Sequence, residues 1–248
     1  MQIRILSYNI HRAIGVDRRF RPERIIKVLN HYQADIVLLQ EVDVGVPRSR
    51  KLDLAKVLAD AVDYPYYAIG LNVKVKQGYY GNATLSRFPI NGESNIDLTI
   101  DRRKKRGCLY TSLSLPGVGS ETREMAVFNL HLGLSVQERI RQLGKLVCSP
   151  QYKGLVATQP CLVAGDFNDW RTLLAPVLID ILGFVCATNR KTGHEAPLET
   201  YPSFSPTGGL DKVFCRGGLG VVNGRRCRLG VSKLASDHLP VIVDLQLD

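Results

Sequence analysis

The sequence has no hydrophobic run long enough to cross a membrane and no Pro/Gly/Ser-rich segment that could separate two domains. Its six cysteines show neither C-x-x-C spacing nor the density of a disulfide framework, which excludes a small disulfide-stapled fold. The first residues lead directly into a strand pattern, so we expect no signal peptide and predict a cytoplasmic location. These absences favour a single domain over residues 1–248.

The composition is that of a globular protein with an excess of positive charge. Hydrophobic residues make up 45% and charged residues 23% of the 248 residues, enough apolar material for a large core. Lys and Arg number 33 against 23 Asp and Glu, a net charge of +10. This excess favours a polyanionic partner such as nucleic acid, although basic residues also serve as solvated surface. They cluster at positions 18–21, 48–51, 102–106 and 225–228.

Hydrophobic periodicity predicts alternating strands and helices. Strands are predicted at 3–8, 35–42, 66–68, 82–85, 109–115, 125–132, 161–164, 211–215 and 240–247. Helices are predicted at 22–32 and 52–62, behind an S-x-x-E capping box at 135–138, and at 172–182, where Pro176 could bend the helix. Strand-helix units in both halves, with a β-meander between them and a turn at Pro116-Gly117, indicate an α/β fold of two packed sheets flanked by helices.

Four polar clusters follow apolar strand-like runs. They are Ser7-Tyr8-Asn9-Ile10-His11, Gln40-Glu41, Gly165-Asp166-Phe167-Asn168 and Ser236-Asp237-His238. Together they supply the carboxylates, amides and imidazoles that metal-assisted hydrolysis of phosphate esters requires. Because such groups are costly at the ends of buried strands unless they bind something, their recurrence predicts one shared site.

The residue types suggest individual roles. Glu41 ends a buried strand and is the strongest candidate metal carboxylate. Asn9 could add an amide oxygen or make a turn hydrogen bond. In an extended strand, residues i and i+2 share a face, so we expect Asn9 and His11, Asn129 and His131, and Asp166 and Asn168 to project as pairs.

Proton transfer and phosphate contacts are expected from the remaining polar residues. Asp166 could take a proton from water while Asn168 holds it, or the two could form an Asx turn. His238 could donate to a phosphate oxygen, with Asp211 fixing its tautomer, and His131 could contact the same phosphate.

The ordered motifs S-Y-N-I-H, L-Q-E-V-D, N-L-H, G-D-F-N, L-D-K-V-F and S-D-H-L-P resemble those of the endonuclease/exonuclease/phosphatase superfamily, whose fold is that of pancreatic deoxyribonuclease. The resemblance implies a four-layer α/β/β/α sandwich of two mixed sheets, with Mg²⁺ or Mn²⁺ at one edge. It implies that Glu41 is the principal metal ligand, with Asn9 and Asp237 nearby.

The same resemblance implies that Asp166 and Asn168 align water and phosphate. It also implies that His131 and the pair His238–Asp211 stabilise a pentacovalent phosphate during in-line hydrolysis. Asp166 and His238 both remain candidates for the general base. Further motif matches at Arg48, Asn82 and Arg106 imply substrate-side or scaffold roles.

Three functional hypotheses follow. The leading one is a metal-dependent phosphodiesterase acting on DNA or RNA, with basic patches on the phosphate backbone and with Tyr79, Tyr80 or Trp170 available for base stacking. The second is a phosphohydrolase of small molecules or lipids, with Arg48 and Arg106 as a phosphate clamp. The third is an inactive phosphate-binding module. His11 stands where abasic-site endonucleases of the superfamily carry an acidic residue, which weakens a DNA-repair assignment.

Overall fold

The computed structural model describes residues 1–117, 122–189 and 196–247. Within these ranges the strands are β1 Gln2–Asn9, β2 Ile36–Val44, β3 Tyr66–Lys74, β4 Tyr79–Ser86, β5 Ile90–Asp97, β6 Gly107–Pro116, β7 Thr122–His131, β8 Cys161–Asp166, β9 Val185–Cys186, β10 Asp211–Arg216, β11 Leu219–Arg226 and β12 Val241–Leu247. The α-helices are α1 Pro22–Tyr32, α2 Leu54–Ala61, α3 Val136–Val147, α4 Pro150–Lys153 and α5 Ser232–Ala235. None of these helices has the length and apolar composition needed to cross a membrane.

The strands form two mixed six-stranded sheets. Their orders are β11-β12-β1-β2-β4-β3 and β5-β6-β7-β8-β10-β9. Each sheet has one parallel pair near its centre, β1 with β2 and β7 with β8, and its other neighbours are antiparallel. The carboxyl ends of the strands in each parallel pair therefore lie side by side.

Three apolar clusters separate four layers. The middle cluster lies between the sheets and contains side chains such as Ile5 and Val127. One outer cluster packs α1 and α2 on the first sheet, and the other packs α3 and α4 on the second. Because side chains alternate along a strand, each sheet is apolar on both faces. The predicted α/β/β/α sandwich of two mixed sheets is confirmed.

Two details of the sequence prediction are wrong. The predicted helix at 172–182 starts later than expected and is π-helical at Val177–Ile181. Thr172 has a left-handed φ of 56°, and Leu174 N donates to Asp169 Oδ2 at 2.8 Å, so a turn precedes the helical segment. The predicted meander is divided between the sheets, with β3 and β4 in the first and β5 to β7 in the second. The connection after Pro116-Gly117 includes residues 118–121, outside the described ranges.

Candidate active site

The site forms where the core between the two sheets changes from apolar to polar. Along β1, the face that packs Ile3 and Ile5 against the other sheet continues to Asn9, and along β8 the face that packs Ala164 continues to Asp166. Asn9 Nδ2 donates to Asp166 Oδ2 across the sheets at 3.0 Å. Strand periodicity and the polar end of each strand together build one buried polar layer.

A pair of buried amides joins the two sheets beneath the site. Gln40 Nε2 donates to Asn129 Oδ1 at 2.8 Å, and Asn129 Nδ2 donates to the carbonyl oxygens of Leu39 (3.1 Å) and Ala83 (2.8 Å). Asn129 and His131 share the face towards the first sheet, as strand alternation predicts. Asn129 nevertheless cross-links strand ends, while His131 reaches the site.

Asp166 is the centre of the site. Its Oδ2 lies 3.0 Å from Asn9 Nδ2, 3.4 Å from His131 Nε2 and 3.7 Å from His238 Nε2. Its Oδ1 accepts from Asn168 N at 2.9 Å, and Asn168 Nδ2 donates to a backbone carbonyl at 2.9 Å. Asn168 has a left-handed φ of 51°, so the predicted Asx-type turn is present and also holds the carboxylate in place.

His238 links the two buried carboxylates Asp166 and Asp211. Its Nδ1 lies 2.9 Å from Asp211 Oδ2, which also accepts a hydrogen bond from Thr200 Oγ1. Burial opposes protonation of the ring, but Asp211 and then Asp166 outweigh it and raise the pKa of His238 to about 10. His238 is therefore an imidazolium at neutral pH, with Asp211 fixing its orientation.

The other two ionisable groups respond differently to burial. Burial is the main cause that raises the pKa of Asp166 to about 6, helped by Asp211 and opposed by His238. Burial, and then the nearby charge of Arg106, lower the pKa of His131 well below the usual histidine value. At pH 7 the site therefore contains an ionised Asp166, a neutral His131 and a charged His238.

Glu41 reaches the same site through a distortion of β2. The β2–β4 register shifts between Leu39 and Val42, and Glu41 has a left-handed φ of 57°. This bulge lets Glu41 share a cleft with His131, although regular alternation after Gln40 would turn it towards the outer helices. The lining of this cleft, called the Glu41 cleft below, is Glu41, Asn72, Val73, Tyr80, Gly81, Asn82, Lys105, Arg106, Gly107 and His131.

One carboxylate oxygen of Glu41 is suited to bind a hard cation. Among the described residues, Glu41 Oε2 is buried without a hydrogen-bond partner, and it lies 3.4 Å from Arg12 Nε, an ion-pair contact too long and poorly directed to count as a hydrogen bond. Arg12 sits in a turn of three left-handed residues with φ between 44° and 62°. Carboxylate oxygen is the ligand type that Mg²⁺ and Mn²⁺ favour, so the residues present fit such an ion.

The two other predicted metal ligands lie on the β1 side of the site. Asn9 pairs with Gln40, the residue before Glu41, but its Oδ1 already accepts from His11 N at 3.1 Å. His11 does not project beside Asn9, because its left-handed backbone ends the strand and its Nδ1 contacts a carbonyl of the same turn. Asp237 contacts Ser236 Oγ at 3.3 Å and lies 3.9 Å from the His11 ring.

A second arrangement also has metal-ligand spacing. Ligand atoms of Asp166, Asp211 and His238 lie within 4.8 Å of one another. The imidazolium of His238 balances one of the two carboxylates, but Asp211 Oδ1 is buried without a hydrogen-bond partner among the described residues. We favour Glu41 over this triad as the metal carboxylate because the positive charge of His238, next to both Asp166 and Asp211, opposes a cation there.

The predicted substrate residues Arg48, Asn82 and Arg106 have different surroundings. Arg48 makes a two-bond ion pair with the buried Asp43, with N–O distances of 2.8 and 2.7 Å, and lies 5.5 Å from the centre of the Tyr80 ring. Asn82 Nδ2 donates to two backbone carbonyls at 3.1 and 3.0 Å, so that amide group holds strands together. Arg106 is 6% exposed, and its Nε has no hydrogen-bond partner among the described residues.

Of the three aromatic residues considered for base stacking, Trp170 has an exposed ring and is linked to His238 through the ring of Tyr201. Trp170 is 52% exposed and meets Tyr201 edge-on, with ring centres 5.5 Å apart, and Tyr201 lies 5.0 Å from the His238 ring. Tyr80 is 8% exposed, and Arg48 and Lys104 lie 5.5 and 5.7 Å from its ring centre, so the ring offers little surface to a base. Tyr79 is 40% exposed on β4.

Sequence reasoning missed three residues that shape the site. Asp43 neutralises Arg48, Thr200 supports Asp211, and Arg12 approaches Glu41. Asp43 had a usable signal, since it is the last residue of the L-Q-E-V-D motif and directly follows the predicted buried strand at 35–42. Thr200 also had one, as the first residue of a T-Y-P-S match to the family at 200–203. Arg12 had none, because its contact depends on how a loop folds over the strand ends.

Comparison with known proteins identifies the family. Residues 6–238 match the model of the Endonuclease/Exonuclease/phosphatase family. The protein YbhP of Escherichia coli (strain K12) is 32% identical over 253 residues, covering 98% of this chain and 96% of YbhP.

Solved structures share the fold at lower identity. The mannosyl-6-phosphatase Bt3783 of Bacteroides thetaiotaomicron superposes with a TM-score of 0.75 at 18% identity, covering 99% of this chain and 100% of Bt3783. TDP2 of D. rerio, in complex with a single-strand DNA product, superposes with a TM-score of 0.74 at 17% identity, covering 99% of each chain. The predicted superfamily is confirmed: the chain belongs to the endonuclease/exonuclease/phosphatase family, whose members hydrolyse phosphoric esters.

Proposed function

We propose that this protein is a divalent-metal-dependent phosphodiesterase that cleaves nucleic acid by direct attack of water. The observation that carries the proposal is the buried chain of ionisable groups from His131 through Asp166 and His238 to Asp211, beside the cleft that contains Glu41. Such a set of acid, base and cation-binding groups is what hydrolysis at phosphorus requires.

The protonation states assign roles within the site. Asp166 is ionised at pH 7 and is held by Asn9 and Asn168, so it is placed to accept a proton from water. His238 already carries its proton, so it donates a hydrogen bond to a phosphoryl oxygen and does not act as the base. The neutral His131 adds a second donor on the Glu41 side of Asp166.

Glu41 would hold Mg²⁺ or Mn²⁺, with Asn9 and Asp237 next to it on the β1 side. When bound, the ion neutralises charge that develops on the phosphoryl group and its leaving oxygen. Glu41 fits this role because its buried Oε2 has no hydrogen-bond partner in the part of the chain that the structure describes, and only an ion-pair contact of 3.4 Å with Arg12.

The proposal that the substrate is nucleic acid rests on the cations around the Glu41 cleft. Many basic side chains predicted to form patches are paired with carboxylates, among them Arg48 with Asp43 and Arg225 with Asp244. Lys104, Lys105 and Arg106 are adjacent in sequence, two of them line the cleft, and none forms an ion pair with a described carboxylate. Several adjacent cations without carboxylate partners can contact several phosphates of a nucleic-acid backbone at once, which supports this choice of substrate.

Hydrolysis of bis-p-nitrophenyl phosphate tests the chemistry without requiring the natural substrate. We expect activity with Mg²⁺ or Mn²⁺, a loss of about 10²–10⁴-fold in kcat for Asp166→Asn, and loss of both activity and metal-induced thermal stabilisation for Glu41→Gln. Asp60→Asn is the matched control, because Asp60 is an exposed residue of α2. Wild-type protein that is inert with both metals would refute the phosphodiesterase assignment.

A substrate panel separates nucleic acid from the alternative of a small phosphomonoester. The panel contains plasmid, single-stranded DNA, RNA and mannose 6-phosphate, each at low and moderate salt. A nuclease that uses many backbone contacts loses roughly 10³–10⁵ in affinity between these salt concentrations. Rapid cleavage of mannose 6-phosphate alone, with weak salt dependence, would favour the small-molecule phosphatase.

A further inference from the structure

A second cleft opens beside the Glu41 cleft, on the side of the β5–β6 loop and the start of α3. Its lining consists of Arg103, Lys104, Arg106, Gly133, Leu134, Ser135 and Glu138, and it is called the Ser135 cleft below. Arg106 lines both clefts. Groups bound in the two clefts are therefore within reach of one side chain.

The Ser135 cleft has an excess of positive charge. Glu138 Oε2 lies 3.3 Å from Arg103 Nη1, and Glu138 Oε1 accepts from Gln142 Nε2 at 3.3 Å, so the single carboxylate is already engaged. Lys104 and Arg106 form no ion pair with a carboxylate in the described ranges. Neither of these two cations would have to give up a described carboxylate to bind an anion, although Lys104 Nζ would have to leave its position 5.7 Å from the Tyr80 ring centre.

Arg106 provides the stronger indication of a ligand. Its side chain is more than nine-tenths buried, and its Nε lacks a hydrogen-bond partner among the described residues. A buried cation without a counter-charge is costly, and phosphate oxygens are good partners for a guanidinium that lies between two binding sites.

The N-terminus of α3 adds a positive electrostatic potential to the Ser135 cleft. Ser135 is the N-cap of this twelve-residue helix, and its Oγ accepts from Glu138 N at 3.3 Å. The positive end of the helix dipole therefore faces the same cleft as Lys104 and Arg106, and helix N-termini favour anions.

We propose that the Ser135 cleft binds a second phosphate of the substrate, next to the phosphate that is hydrolysed in the Glu41 cleft. The inference rests on the proposed function, because it assigns the reacting phosphate to the Glu41 cleft. The enzyme then prefers substrates with two phosphates close together, as in an oligonucleotide backbone, over those with one.

Equilibrium dialysis in EDTA tests the second phosphate without turnover. The probes are the dinucleotides TpT, pTpT and TpTp, which carry one phosphate or a second one at either end. We expect pTpT or TpTp to bind about tenfold more tightly than TpT, as one charge-assisted contact predicts. We also expect Lys104→Ala to reduce this ratio towards one, whereas the exposed Lys153→Ala on α4 leaves it unchanged.

A parallel pair of probes identifies the source of the second phosphate. Glucose 1,6-bisphosphate and glucose 6-phosphate differ by one phosphate but share no nucleoside. A gain confined to the dinucleotides supports a nucleic-acid backbone, and a gain confined to the sugar bisphosphate supports the same subsite with a small substrate.

The proposal is overturned if no doubly phosphorylated probe binds more tightly than its singly phosphorylated counterpart, or if Lys104→Ala keeps the full gain. These results are distinguishable from failure of the proposed function, which is measured as absent hydrolysis of bis-p-nitrophenyl phosphate in the presence of metal.

Discussion

Replacing Asp211 with Asn removes one negative charge from the buried His238 site with almost no change in shape. His238 Nδ1 lies 2.9 Å from Asp211 Oδ2, and both side chains are nearly inaccessible to solvent. Asn can still accept a hydrogen bond from Nδ1, so the substitution isolates the charge. We expect the pKa of His238 to fall in Asp211→Asn, because only Asp166 and Asp237 then oppose the effect of burial.

The size of the effect follows from the pKa of His238. Asp211 and Asp166 raise this pKa from 6.5 to about 10, equivalent to a stabilisation of the folded state by up to about 5 kcal/mol at roughly 1.4 kcal/mol per pKa unit. Because the folded-state pKa is raised, this stabilisation is complete below the unfolded-state pKa of about 6.5 and is lost as the pH rises through about 10. Because Asp166 still faces the ring in the variant, the expected gap in unfolding free energy is at most about 4 kcal/mol at pH 7, and it falls to under about 1 kcal/mol at pH 10.

Urea unfolding followed by circular dichroism at pH 7, 8, 9 and 10, in EDTA, measures this gap. Other groups that titrate over the range are common to both proteins and cancel in the difference. The exposed substitution Asp60→Asn should give a small, pH-independent gap. A gap for Asp211→Asn that is constant from pH 7 to pH 10 would refute the assignment of a charged His238.

Three further substitutions test the framework around the site. Asn129→Ala removes one hydrogen bond from Gln40 Nε2, which keeps its bond to the Leu38 carbonyl, and one from each of two other carbonyls. We expect a loss of about 2–4 kcal/mol in unfolding free energy by urea titration, and a loss under about 0.5 kcal/mol would contradict the proposed cross-link. Arg48→Met leaves the buried carboxylate of Asp43 without its ion-pair partner and should lower the unfolding free energy by about 3 kcal/mol at pH 7. The loss should be smaller at pH 4, where the carboxyl group is partly protonated, and equal losses at both pH values would argue against this role of the ion pair. Asp53→Ala removes the N-cap of α2 and should lower the unfolding free energy by about 1 kcal/mol, whereas an unchanged thermal midpoint would show that the cap contributes nothing.

Local patterns in the sequence were sufficient to predict most of the fold. Continuous apolar runs such as residues 36–39 indicate strands covered on both faces, and the capping box at Ser135 marks the start of α3 at Val136. The start of the helix predicted at 172–182 was mispredicted because Asp169 and the left-handed Thr172 redirect the chain, and hydrophobic periodicity does not register such contacts.

The candidate site was predicted in part. The ordered motifs identify Glu41, Asp166 and His238, and the structure places Asp166 within 3.7 Å of His238 Nε2 and Glu41 in a cleft with His131. Arg48 and Asn82 have structural partners in addition to any substrate role, and Asp237 lies by the His11 turn. Their catalytic and binding roles remain predictions, because only activity and binding measurements test them.

The sequence by itself determined which residues end the buried strands, because alternation and apolar runs are local properties of the chain. It also determined the family, through the order of motifs from Asn9 to His238. Only the tertiary structure decided the charges at the site, because the pKa values of His238 and Asp166 depend on burial and on carboxylates distant in sequence. It likewise decided that Arg106 lies between two clefts, since loop packing brings the β5–β6 loop and the start of α3 together.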